Sequence, residues 1–154
     1  MVKWIHAYRL MDHNFWDVMM PANASWSWRK LLQISPMIQD HFLHRIRNGG
    51  NTSIWYDIWS DHGHLVNVIS RRNIIRAGFD GNEKFCDYIS MNGWIWPVTW
   101  RNEYPLLQTI APPVLSIESD VVQWVDPSGY VSDFAVAKVW ETISRSVFEH
   151  RQDR

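Results

Sequence analysis

The chain has 154 residues, carries 15 Lys and Arg against 16 Asp and Glu, is 46% hydrophobic, and has a length that suits one domain. Near-neutral charge with a globular apolar fraction excludes a disordered chain, and a lone cysteine, Cys86, excludes an internal disulfide or a multi-cysteine zinc site. No run approaches the ~18 apolar residues of a membrane span and no apolar signal-peptide segment follows Met1, so a soluble domain of a reducing compartment is expected.

The opening segment places Trp4, Ile5 and Tyr8 at helical spacing. Residues 14–23 read as irregular and are broken by Pro21. A helix is expected from Ser25 or Ser27 as cap, with Trp28, Leu31 and Leu32 on one face and Pro36 as its end. Pro36 suits the first position of a second helix, with Ile38, Phe42 and Ile46 recurring along one side. Asn48-Gly-Gly-Asn predicts a turn, and the β-branched and aromatic run Thr52–Tyr56 predicts a short strand leaving it.

Residues 66–77 carry a helical period through Val68, Ile69 and Ile75, with a stop at Gly78. Asn92-Gly93 is another turn, followed by the aromatic cluster Trp94-Ile-Trp-Pro-Val-Thr-Trp. Residues 104–110 fit one or two helical turns before Pro112-Pro113 halts regular structure. The last third predicts a β-hairpin, Asp120–Val125 and Tyr130-Val131 around the turn Asp126-Pro-Ser-Gly. Asp133 then caps a helix with Val136, Val139, Trp140 and Ile143 on one face, and the charged tail from Glu149 frays. The class is α+β: short helices, a few short strands, a Trp-rich core and a C-terminal hairpin followed by a helix.

Nucleotidyl transfer by two metals needs clustered carboxylates, and no Asp-Asp pair occurs. Asp57 and Asp61 read as capping or turn residues, Gly49-Gly50 lacks the Gly-Lys-Ser/Thr of a phosphate loop, and no Gly-x-Ser-x-Gly elbow exists. His41 and His44 sit three apart on the expected second helix and His62-Gly-His64 forms a His-x-His pair, but nothing supplies a third metal ligand, so a solvated surface is expected. Phe85 and Tyr88 suggest that Cys86 is an inert core thiol.

Eleven tryptophans need packed partners or flat ligands. Trp28, Trp124 and Trp140 fall on apolar faces and read as core anchors. Trp26 falls off that face beside Arg29 and Lys30, as a base-stacking residue would. The charge is also divided: residues 1–77 net +4 and residues 78–154 net −5. Arg45, Arg47, Arg71, Arg72 and Arg76 add cations able to track phosphates, the alternative being ordinary solvated faces and halves that neutralise one another.

Ala24-Ser-Trp-Ser-Trp-Arg-Lys-Leu-Leu, Arg47-Asn-Gly-Gly-Asn-Thr-Ser-Ile-Trp-Tyr-Asp-Ile-Trp, Ala77-Gly-Phe, Trp94-Ile-Trp-Pro, and Asp120-Val-Val-Gln-Trp with Gly129 and Phe134-Ala-Val-Ala-Lys-Val-Trp occur in this order. Together they resemble the reverse-transcriptase polyprotein of plant LINE-type (non-LTR) retrotransposons, between its polymerase domain and its C-terminal zinc-binding domain. Arg47 and Gly50 depart from the family's usual turn, and Ile58 stands where a polar residue precedes the tryptophan. The resemblance implies a connecting region over residues 1–119 and the start of a zinc-binding-like module over residues 120–154.

The resemblance places catalysis elsewhere, because the polymerase's aromatic-x-Asp-Asp motif belongs to an upstream segment and the zinc ligands to a downstream one. Mg²⁺ and Zn²⁺ are therefore implied for the parent and no cofactor for this chain. The expected partners are RNA or single-stranded DNA and the neighbouring polymerase domain, without a membrane, in nucleus or cytoplasm. The leading expectation is a non-catalytic fragment guiding nucleic acid through Trp26, Arg29 and Lys30 and the basic N-terminal half. The alternatives are a purely structural interdomain segment or a decayed product without independent activity. An unrelated small enzyme has no candidate residue set.

Overall fold

Ser25 opens the first helix, α1 (Trp26–Ile38), in the computed structural model, which describes residues 14–152. The expected opening helix with Trp4, Ile5 and Tyr8 lies outside the described residues. The Ser25 hydroxyl accepts the Trp28 N–H at 3.4 Å, satisfying a helix-end donor. Trp28 and Leu32 bury one face with Ala24, and Phe15 sets its ring edge-on to Trp28.

The expected stop at Pro36 does not occur. Pro36 removes the N–H that would reach the Leu32 carbonyl, and the Ser35 hydroxyl donates to that carbonyl at 3.0 Å instead. The helix passes through, and the second helix predicted over Ile38, Phe42 and Ile46 is replaced by a 3₁₀ turn (Gln39–His41) and strand β1 (Phe42–Arg45). His41 and His44 therefore do not share a helix face.

Residues 52–56 do not form the expected strand. The Asp57 carboxylate accepts the Ser53 N–H at 2.7 Å and the Ser53 hydroxyl accepts the Tyr56 N–H at 3.2 Å, so side chains close a turn where a ladder would run. That turn buries Ile54, Trp55 and Tyr56. Helix α2 (Arg71–Arg76) starts at the Ser70 cap, and the chain leaves it at Gly78 with φ +95°, as its glycine predicts. The Asn92-Gly93 turn joins β2 (Ile89–Ser90) to β3 (Gly93–Trp94), and two short helices, α3 (Trp100–Glu103) and α4 (Leu106–Thr109), precede Pro112-Pro113.

Phe79, Tyr88, Trp96 and Trp100 surround Trp55 with centroids 5.3–6.2 Å from it, in edge and tilted arrangements. Trp59 and Trp94 join through Phe85. With Trp16 packed at its margin, six of the eleven tryptophans thus serve one aromatic core, and most of the tryptophan excess is packing.

The C-terminal hairpin forms as expected, with β4 (Val121–Val125) and β5 (Val131–Asp133) joined by a turn that Asp126 closes by accepting the Ser128 and Tyr130 N–H groups. On its other edge β4 pairs with β1, Phe42 opposite Trp124 and Arg45 opposite Val121. Trp124 is buried between a stacked His41 and an edge-on Phe42. A division between residues 119 and 120 therefore falls inside one hydrogen-bonded sheet, in the order β1-β4-β5.

Helix α5 (Val136–Gln152) packs against α1 and continues into the tail expected to fray. Asp133 ends β5 and does not cap the helix. Lys138 donates its ammonium to the Ser132 hydroxyl and the Asp133 carbonyl, both at 2.6 Å. Thr142 is buried and Trp140 is 61% exposed, so Trp140 is not the core anchor its periodicity suggested. The class is α+β, as expected, with five α-helices among the described residues.

Candidate nucleic-acid interface

Helix α1 contains Arg29 and Lys30 and no acidic residue. Trp26 is 74% exposed, and Arg29 and Lys30, three and four residues on, share its face and are exposed too. Arg29 donates to the Ala24 carbonyl at 3.3 Å, which holds its guanidinium near the start of the helix. The arrangement offers one flat ring and two cations along a single turn.

The other predicted cations do not join that face. Arg45 ends β1, and Arg72 and Arg76 lie exposed on α2, four residues apart. Arg71 is turned to Asp17, with Nε 2.9 Å from the carboxylate, and this bond keeps the guanidinium firmly charged. Arg47 pairs with Glu118. Exposed pairs of this kind contribute about 0–1 kcal/mol, yet they lower the charge these two residues present to a phosphate.

The glycine turn after β1 converges its N–H groups as an anion seat does, and its occupant is a side chain of the same protein. Asp120 accepts the N–H groups of Arg47 at 2.7 Å, Gly49 at 2.8 Å and Asn51 at 3.3 Å, and the Thr52 hydroxyl at 2.9 Å. Partial burial works to raise the Asp120 pKa, but these four donors outweigh it and hold the carboxyl below its usual range. The turn is thus a structural clasp and not a phosphate cradle.

Beneath the clasp, His44 stands 3.5 Å from both the Thr52 hydroxyl and the Asp57 carboxylate. Hydroxyl, imidazole and carboxylate follow the order of a nucleophilic triad, but Thr52 is fully buried and gives its proton to Asp120. Burial lowers the His44 pKa against the pull of Asp57 and Asp120. Asp57 also accepts the indole N–H of Trp16 at 3.2 Å, which makes it a turn residue with a packing role.

His64 is not solvated as expected. It is buried between the Tyr56 carbonyl at 2.6 Å and the Asp40 carboxylate at 2.8 Å. Cys86 is half-buried, and that burial pushes its thiol pKa up, away from nucleophilic use. Among the described residues no group of three or more His, Cys, Asp or Glu side chains is placed to hold a metal ion.

Sequence reasoning overlooked two features. Asp120 is 68–73 residues from the groups it clasps, and no local pattern signals that pairing. Trp94 and Trp96 did carry a signal: two apart in extended chain, they put both rings on one side, stacked at 5.0 Å. They line a groove with Arg101 and Gln108. No protein-family model, curated protein or solved structure matches the chain.

Proposed function

We propose that the chain is a non-catalytic segment of a retrotransposon RNA-directed DNA polymerase (reverse transcriptase) that contacts RNA or single-stranded DNA. The observation supporting this reading is the exposed α1 face of Trp26, Arg29 and Lys30, free of acidic residues along the helix. An indole stacks on any base and adjacent cations follow the backbone, so binding is sequence-tolerant and falls with salt. Bond-making and its metals stay with the parent polymerase.

Fluorescence anisotropy with single-stranded RNA tests the reading. Binding is expected at low salt, weakening as salt rises and lost in the combined variant Trp26→Ala, Arg29→Glu, Lys30→Glu. Absence of binding by the unmodified chain at low salt removes the proposal.

A second reading, a purely structural segment packed on its polymerase neighbour, is favoured by a different surface. Val136 and Trp140, four apart on α5, are 63% and 61% exposed and adjacent. Self-association on size-exclusion chromatography supports that reading, and a monodisperse monomer counts against it.

A further inference from the structure

Residues 111–116 leave α4 without a turn or a bend. Their form follows from the sequence. Each proline fixes its own φ at about −65° and pushes the residue before it out of the helical region. Ile110 is already extended, with ψ 110°. Ala111-Pro112-Pro113 is thereby held as a stretch of left-handed proline helix. Both ends of the strap are pinned. The Trp94 indole N–H donates to the Ile110 carbonyl and the Ser116 N–H to the Arg47 carbonyl, both at 2.7 Å, and Ile110 and Leu115 pack on the aromatic core. Between these anchors Ala111, Pro112, Pro113 and Val114 are exposed, Val114 at 97%. Among the described residues no hydrogen bond reaches the carbonyls of these four. Clefts open beside them, about 430 Å³ toward β1 and about 570 Å³ toward the β2–β3 hairpin.

We infer that this strap is itself a ligand, docking in the groove of a WW-type domain, whose aromatic rings clamp a Pro-Pro pair. Two successive residues without an N–H offer a strand no ladder to join. They do present two pyrrolidine faces to flat rings, and open carbonyls to the N–H and O–H groups at the ring edges. The clefts leave room for rings to straddle the strap. Because the fold already fixes its extended form, little ordering entropy opposes binding. An SH3-type groove is the rival reader, and it takes prolines three apart. The residues three away from Pro112 and Pro113 are Thr109, Ile110, Leu115 and Ser116, so that pattern is absent. The inference stands apart from nucleic-acid binding, since no residue of the α1 face lines either cleft.

The test is fluorescence anisotropy of a set of purified, dye-labelled WW domains, and a matching set of SH3 domains, titrated with the full chain. Saturable binding by members of the WW set is expected. Pro112→Ala combined with Pro113→Ala, which removes the fixed φ and both rings, is expected to weaken it by about tenfold. Val114→Asp, which keeps both prolines and sets a charge beside the clamp, is expected to abolish it, so the outcome does not hang on one variant folding. Far-UV circular dichroism and tryptophan emission are expected to stay in place in both. No binding by any WW domain at millimolar chain overturns the proposal, as does binding that survives both variants. Binding by the SH3 set alone overturns the single-clamp reading. A change confined to the chain's own elution volume on size-exclusion chromatography would assign the strap to a second copy of the chain and overturn the proposal too.

Discussion

Four donors from residues 47–52 meet one carboxylate at Asp120, and Gly49 makes the meeting possible. Its φ of +71° is left-handed, and a Cβ there would sit 2.9 Å from the Cys86 nitrogen and 3.0 Å from the Phe85 ring. Gly49→Ala and Asp120→Ala are each expected to cost about 2–4 kcal/mol in urea unfolding, through overpacking and orphaned donors respectively. Because both act on one clasp, the double variant should cost less than the sum. The pH dependence has two windows. His44 has a pKa lowered below its ordinary 6.5, chiefly by burial, so the unfolded chain takes up its proton first and stability falls as pH drops through 6.5. Asp120 has a pKa lowered below 3.8, so its contribution is present above that value and is lost on further acidification. Urea midpoints measured across this range check both, and His44→Gln should flatten the first slope alone. The turn itself was legible in Asn48-Gly-Gly-Asn. Its carboxylate was not, because loop closure over 68–73 residues leaves no local trace.

Elements were legible where capping and turn chemistry act within a few residues. Ser25, Gly78 and the Asp126 turn each did what their chemistry dictates, whereas the Ser70 cap, which starts α2 at Arg71, was not read. The misreadings have a common physical form: a side chain supplied a hydrogen bond that propensity rules assign to the backbone. Ser35 serves the carbonyl that Pro36 leaves, and Asp57 with Ser53 closes a turn over a β-prone run. Helix α5 shows the limit of periodicity in another way. Its apolar stripe was visible, but periodicity does not say which part of the stripe meets the fold: Thr142 is buried and Trp140 stands in solvent. Trp124→Ala is accordingly expected to cost about 3–5 kcal/mol by thermal or urea unfolding. Trp140→Ala should stay within about 0.5 kcal/mol, as for an exposed site. A large loss at Trp140 would mean that this face packs inward.

At the scale of the whole molecule, the question is whether residues 1–119 and 120–154 stand apart. The resemblance to a polyprotein junction draws a boundary there, whereas backbone hydrogen bonding runs across it. Strand β4 lies between β1 and β5, Trp124 closes over His41 and Phe42, and Arg47 and Asp120 tie the basic half to the acidic one. Charge asymmetry is thereby partly consumed within the fold, while on α1 the exposed Trp26 keeps Arg29 and Lys30 beside it in solvent. Cutting the chain before Asp120 would leave β1 without its partner strand and the glycine turn without its acceptor, and an orphaned edge of that kind invites association. One cooperative unit is the outcome expected from this connectivity. Urea unfolding monitored by tryptophan fluorescence, dominated by the aromatic core around Trp55, and by far-UV circular dichroism, weighted by α1 and α5, should give one coincident transition. Asp120→Ala should move both signals together, because the clasp it breaks belongs to both halves. Separated transitions, with only one displaced by that substitution, would show that the two segments fold as independent domains.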